Sequence, residues 1–218
     1  MFVFRSEQTI SPGKAEEYSD YQKASMDAVR QQPGFLWDAH LIYLGNYARR
    51  LVLQGWESKE SRLAYSRGSA TVRPAEHVLT GPAMTEFYDV VAETRETDLS
   101  VGQFVILRHL RLRNGSQAEF EAIEAGLSDL AREQEGFVAR SSLKFLGNDT
   151  TYLRCSVWHS WADLEQWTAT PTYAAENEAI MNHVVWTSAD RYEVQEATSK
   201  TDKEALERLN WESLSAAR

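Results

Sequence analysis

The side chains in this sequence best suited to chemistry sit in two β-type runs. In 151–159, alternation puts Arg154, Ser156 and Trp158 on one face and Leu153, Cys155 and Val157 on the other; in 49–57 it sets Val52, Gln54 and Trp56 against Leu51, Leu53 and Gly55. Aromatic rings mixed with polar groups are the usual lining of a ligand cavity. The even-numbered faces are therefore expected to enclose a cavity and the odd-numbered ones to pack under helices, although a wet interface without a ligand has the same composition. A guanidinium in an apolar space needs an anion. Arg154 thus points either to a ligand with an ionisable oxygen or to internal carboxylates such as Glu7 and Asp38. Trp56 and Trp158 offer flat walls to a polycyclic ligand, or are simply core. Tyr43, Tyr65 and His40 are further cavity groups, and His183 could reach a cavity mouth or serve in packing.

Other chemistries find little footing. The five histidines, His40, His77, His109, His159 and His183, show no His-x-x-x-His spacing, so no metal site is expected, and no glycine-rich phosphate loop is present for a nucleotide or flavin. Cys155 has no neighbouring motif that would make it a nucleophile. A net charge of −9 argues against nucleic acid or anionic lipid as partner. The single cysteine and the lack of a signal-like N-terminus or a long apolar run lead to the expectation of a cytoplasmic protein with no membrane span.

The elements that position these residues come in two copies. An offset of 102 places Phe2-Val3 on Phe104-Val105, Gly34-Phe35 on Gly136-Phe137, Leu44-Gly45-Asn46 on Leu146-Gly147-Asn148 and Trp56 on Trp158. After a length difference between Gly68 and Phe87 the offset becomes 104, and Tyr88 meets Tyr192. The chain divides into a first unit over 1–96, a linker over 97–101, a second unit over 102–196 and a tail over 197–218. Thr201, Glu204, Leu206 and Leu209 in that tail fit an amphipathic helix or a frayed end.

Each unit reads as strand, helix, strand, strand, helix, strand. Phe120, Ile123, Leu127 and Leu130 form one helical stripe, Ser116 and Glu119 have the spacing of a capping box, Gly/Asn pairs separate the middle strands, and Thr170-Pro171 starts a further helix. This is an α+β arrangement of two tandem ferredoxin-like units with antiparallel sheets. Each sheet would leave one apolar face bare, and two units resolve this by packing face to face.

The opening strand running into Ser11-Pro12-Gly13-Lys14, the turns Gln32-Pro33-Gly34-Phe35 and Gln134-Glu135-Gly136-Phe137, the strand ends Trp56-Glu57-Ser58 and Trp158-His159-Ser160, and Trp167, Thr170-Pro171 and Tyr173 together resemble the antibiotic biosynthesis monooxygenase (ABM) domain. The resemblance implies an intrachain dimeric α/β barrel, a monomeric pseudo-dimer or a homodimer of pseudo-dimers. One branch of the family implies oxidation of anthrone-like aromatics to quinones by molecular oxygen without a cofactor. A second implies haem degradation, whose positions fall on Arg108, Trp167 and Asn177 in the second unit and on Ser6, Tyr65 and the neighbourhood of Ala75 in the first. A non-catalytic small-molecule-binding barrel is the third alternative. The family alignment turns Arg108 inward, away from His109. The expected catalytic residues are then Arg108, Trp158 and Trp167, with Arg154, Asn177, Trp56, Tyr65 and His183 binding a hydrophobic aromatic. The second unit, which keeps more of the family pattern, is expected to be the working one.

Overall fold

The protein is described by a computed structural model over residues 1–68, 71–96 and 98–199. In the first unit the order is β1 (Phe2–Thr9), α1 (Ala15–Arg30), β2 (Phe35–Tyr43), β3 (Arg49–Trp56), α2 (Lys59–Arg67) and β4 (Met84–Arg95). The second unit follows with β5 (Phe104–Leu112), α3 (Gln117–Arg132), β6 (Phe137–Phe145), β7 (Thr151–Trp158), α4 (Trp161–Thr168), α5 (Pro171–Met181) and β8 (Val184–Ser199). β8 runs beyond position 196 into the stretch assigned to the tail, and the helix expected further on lies outside the described residues.

The eight strands form one closed antiparallel barrel, ordered β1-β3-β2-β8-β5-β7-β6-β4. Each unit's last strand joins the other unit: β4 pairs with β1 and β6, and β8 pairs with β5 and β2. Closure satisfies the backbone groups that two open sheets would leave at their edges. A single chain thus supplies both halves of the barrel.

The barrel interior is filled by the odd-numbered set. Leu51, Leu53, Leu107, Leu153 and Val157 are buried there with Val3, Tyr88 and Tyr192, and Cys155 packs against them. The even-numbered set faces the helices instead: Phe2, Phe4 and Trp56 pack with Val29 of α1 and Tyr65 of α2, while Phe104 and Trp158 pack with Ala131 of α3 and Leu164 and Trp167 of α4. This reverses the sequence-based assignment of the two faces. Both faces of a closed barrel under helices are buried, and an eight-stranded lumen is just wide enough for branched aliphatic side chains. Trp56, Trp158 and Trp167 pack outside, under the helices, while Tyr88 and Tyr192 share the interior with the aliphatic side chains.

Local signals account for most element ends. Gly34 and Gly136 take φ of 79° and 75°, in the left-handed region that glycine tolerates, and a Cβ would collide there with Ser61 and Asp163. Ser58 and Ser160 cap α2 and α4 by accepting from the backbone N–H of Ser61 and Asp163, and Thr170 caps α5 with Pro171 at its first position. The capping box expected at Ser116 does not form. Its backbone is already helical (φ −88°, ψ 0°), so its hydroxyl is not presented to the first-turn donors. The units differ most after their second helix. Pro171 begins α5, whereas the corresponding region of the first unit carries Pro74 and Pro82 and runs extended, with one 3-10 turn at Glu76–Val78. Among the described residues no helix is long and apolar enough to cross a membrane.

Candidate active site

Without a counterpart of α5, the first unit is open between its sheet and its helices. A cavity of about 710 Å3 lies there, lined by Phe4 and Phe87 from the sheet, Tyr21 from α1, Arg62 from α2, and Val72, Pro74, Leu79, Pro82 and Ala83 from the extended segment. Phe4, Gln8, Tyr21, Arg62, Thr71 and Val72 also line an inner chamber of about 100 Å3, whose other walls include Tyr18, His40, Val52, Gln54 and Tyr65. The outer space is mostly apolar and the inner one mixes polar and apolar walls. Buried Oε1 atoms of Gln8 and Gln54, both ring nitrogens of His40 and Nε of Arg62 have no hydrogen-bond partner among the described residues. Buried polar atoms usually find a partner in protein, solvent or ligand.

Arg62 stands where the two spaces meet. It is 8% exposed, lies over the Phe4 ring at 3.7 Å and near the Tyr65 and Trp56 rings at 5.4 and 5.8 Å, and donates to the Ser66 hydroxyl. Among the described residues no carboxylate forms an ion pair with it. Burial pushes its pKa down to about 10, with Tyr65 and Tyr21 acting in the opposite sense. A buried cation held only by ring faces and one hydroxyl is poised for an anion. The same burial raises the pKa of Tyr21 beside it.

The corresponding space of the second unit is filled. Glu124 of α3 replaces Gln22, Ser142 replaces His40, and Arg154 replaces Val52 at the 102-residue offset. Arg154 donates through Nε to Glu124 Oε2 at 3.1 Å and pairs a second time with Oε1; Arg140 is 3.3 Å from the same carboxylate, and the Ser142 hydroxyl donates to it. Burial alone would raise the Glu124 pKa, but Arg154 and Arg140 outweigh it and hold the carboxyl below the usual range. Arg140 is pushed down to about 10 by burial and by Arg154.

The structure distributes the sequence-predicted residues as follows. Arg154 turns toward the helix side and is neutralised by Glu124, not by Glu7 or Asp38. Arg108 lies under α5, donating to Asn177 Oδ1 at 3.1 Å and to the Tyr173 hydroxyl at 3.3 Å. Trp158 and Trp167 stack at 6.4 Å in the buried core of that unit. His183 lies 3.5 Å from Glu119. In the first unit, Trp56 stacks on Tyr65 at 5.9 Å, and Tyr65 and His40 reach the inner chamber. Tyr43 packs against Tyr192 at the barrel lumen. His77 is 60% exposed and bonded to Glu17 at 2.7 Å.

Sequence reasoning missed Arg62. The signal was there: the offset pairs it with Leu164, so a charge occupies a position that is a buried leucine in the twin unit.

Residues 103–179 match the family model described as antibiotic biosynthesis monooxygenase. Among solved structures, a Fusobacterium nucleatum protein named as a candidate monooxygenase superposes with a TM-score of 0.76 at 11% identity, covering 91% of this chain and 94% of its own. An anthrone oxidase-like protein gives 0.67 at 14% identity over 91% and 92%. A haem-degrading enzyme of Listeria monocytogenes gives 0.56 at 16% over 88% and 99%. At these identities the likeness shows the shared fold. No curated protein matches in sequence.

Proposed function

Since the second unit carries an ABM domain over residues 103–179 and the first repeats its fold, we propose that the chain is an ABM-type oxygenase whose working site is the first unit's cavity. Its substrate is a hydrophobic aromatic with an acidic hydroxyl or benzylic position, of the anthrone kind. The supporting observation is Arg62, a buried guanidinium that pairs with no carboxylate among the described residues and stands where an apolar cavity meets a mixed, partly polar chamber. This moves the site from the second unit, where Arg154 and Arg108 already have partners, to the first.

The chemistry follows from what that environment does to charge. Phe4 and Phe87 hold the rings, and the burial of Arg62 strengthens its attraction for a phenolate or enolate. Deprotonation makes the aromatic electron-rich enough to reduce oxygen directly. An anthrone and one O2 then give the quinone and one water, with the substrate supplying all the electrons. The protein orients the ring, stabilises the anion and limits water.

Haem finds no comparable fit. Asn177, at the family's ligand position, accepts from Arg108, while His77 and His183 are beside Glu17 and Glu119. Among the described residues, no histidine lines the larger cavity of about 710 Å3 to serve as an axial ligand.

Oxygen uptake with 1,8-dihydroxyanthrone and no added cofactor is the direct test. Arg62→Leu, which installs the second unit's residue, should stay folded and lose about 10- to 100-fold in kcat/KM, the worth of a charge-assisted hydrogen bond. Undiminished turnover in that variant removes Arg62 from the site. An absence of oxygen uptake by the unaltered chain, with binding retained, favours a binding protein.

A further inference from the structure

The oxidation proposed above needs a group to accept the substrate's acidic proton, and two cavities of the first unit meet at one side chain that could. His40 is 5% exposed and lines both the inner chamber and a third cavity of about 250 Å3. Tyr18 and Gln22 share the wall between these two spaces, and the far side of the third is lined by Ser19, Arg50, Gln195 and Glu196. Glu196 is 43% exposed, so this cavity reaches the surface.

Neither nitrogen of His40 has a hydrogen-bond partner among the described residues. A neutral imidazole has one donor and one acceptor nitrogen, and leaving both buried and unused is costly unless a ligand or solvent engages them. Asp38 Oδ2 lies 3.8 Å from Nε2 and is itself unpartnered, while its Oδ1 accepts from Arg30 at 3.3 Å. An imidazolium formed here would therefore meet a carboxylate already in place. The second unit has Ser142 at the matching position, bound to Glu124, and no base there.

Resting on the function proposed above, we propose that His40 is the proton acceptor of the site and returns the proton to solvent through the third cavity. The acidic C–H or O–H bond of the aromatic breaks and its electron pair stays on the substrate, delocalised toward the oxygen beside Arg62. An N–H bond forms on the imidazole, and the imidazolium, facing Asp38, then releases the proton to water on the Arg50 and Glu196 side. The step involves no oxidation, so it can be isolated by withholding oxygen.

The experiment mixes the full chain with 1,8-dihydroxyanthrone under nitrogen, follows the enolate absorbance by stopped flow, and measures binding by equilibrium dialysis. His40→Gln should bind the anthrone within about threefold of the unaltered chain and form enolate roughly 100-fold more slowly, in the range for loss of a general base. His40→Ser should show the same loss and recover with added imidazole. Equal enolate rates in the unaltered chain and His40→Gln overturn the role of His40 while leaving the function standing. Loss of binding in His40→Gln with no imidazole rescue of His40→Ser overturns it as well. Failure of the unaltered chain to bind the anthrone overturns both readings together.

Discussion

The two units share a backbone plan and differ in what occupies the space between sheet and helices. In the second, a carboxylate on α3 is clasped by two arginines and a serine, and α5 covers the rest. In the first, the matching positions are Gln22, Asp38, His40 and Val52, and a proline-containing segment replaces α5. A buried ion network plugs one unit, while the other keeps an open cavity with a guanidinium that pairs with no carboxylate among the described residues. The first unit carries unpartnered polar groups along its cavity, at Gln8, His40, Gln54 and Arg62. Such groups are destabilising, and the rest of the molecule must offset them.

Breaking the plug tests this division most strongly. Glu124→Ala leaves Arg140 and Arg154 buried together without an anion and should cost about 3–5 kcal/mol of stability in chemical denaturation. A loss under 1 kcal/mol would show that the network is dispensable. Building the plug into the other unit comes next. Gln22→Glu with Val52→Arg should fill the inner chamber and weaken anthrone binding by at least ~10-fold, as direct competition for Arg62 and the chamber requires. Retained affinity would place the ligand elsewhere. Arg62→Leu should leave stability unchanged or raise it by about 1 kcal/mol while binding falls, because a well-packed apolar side chain replaces an unpaired buried charge. A large loss of stability would assign Arg62 a structural role instead.

The smallest effects concern pH. Glu124 titrates below 4.5 when folded, so its contribution is complete above about pH 4.5 and is lost as pH falls from there through its lower folded value. His109 faces the barrel lumen, and its pKa lies below 6.5 through burial and then the nearby Arg5, against the opposing pull of Glu86, Asp190 and Glu7. The unfolded chain therefore binds its proton first, and stability should decline as pH falls below about 6.5. Thermal melts of His109→Gln over that window should show a shallower slope than the unaltered chain, and identical slopes would exclude His109 as the source.

Much of this molecule could be read from its residues. Repeated pairs such as Gly34-Phe35 and Gly136-Phe137 locate matching turns because only glycine takes their backbone angles beside Ser61 and Asp163 without strain. Serine and threonine caps mark three helix starts because they supply acceptors that the first turn lacks. The facing of the strands was not readable. Alternation separates Leu153 from Arg154 but does not say which side is the lumen when apolar groups stand on both. The offset marks Arg62 as a charge opposite a leucine, yet only packing shows that it is buried and pairs with no carboxylate among the described residues.

The amino-acid order alone established the duplication, the strand and helix sequence and the antiparallel sheets, since these depend on local backbone preferences and on periods of two and 3.6 residues. Barrel closure, the side on which the large aromatics lie, and the choice between a filled and an open unit were decided only in three dimensions. They depend on how wide the lumen is and on which charges, far apart along the chain, arrive within a few ångströms of one another.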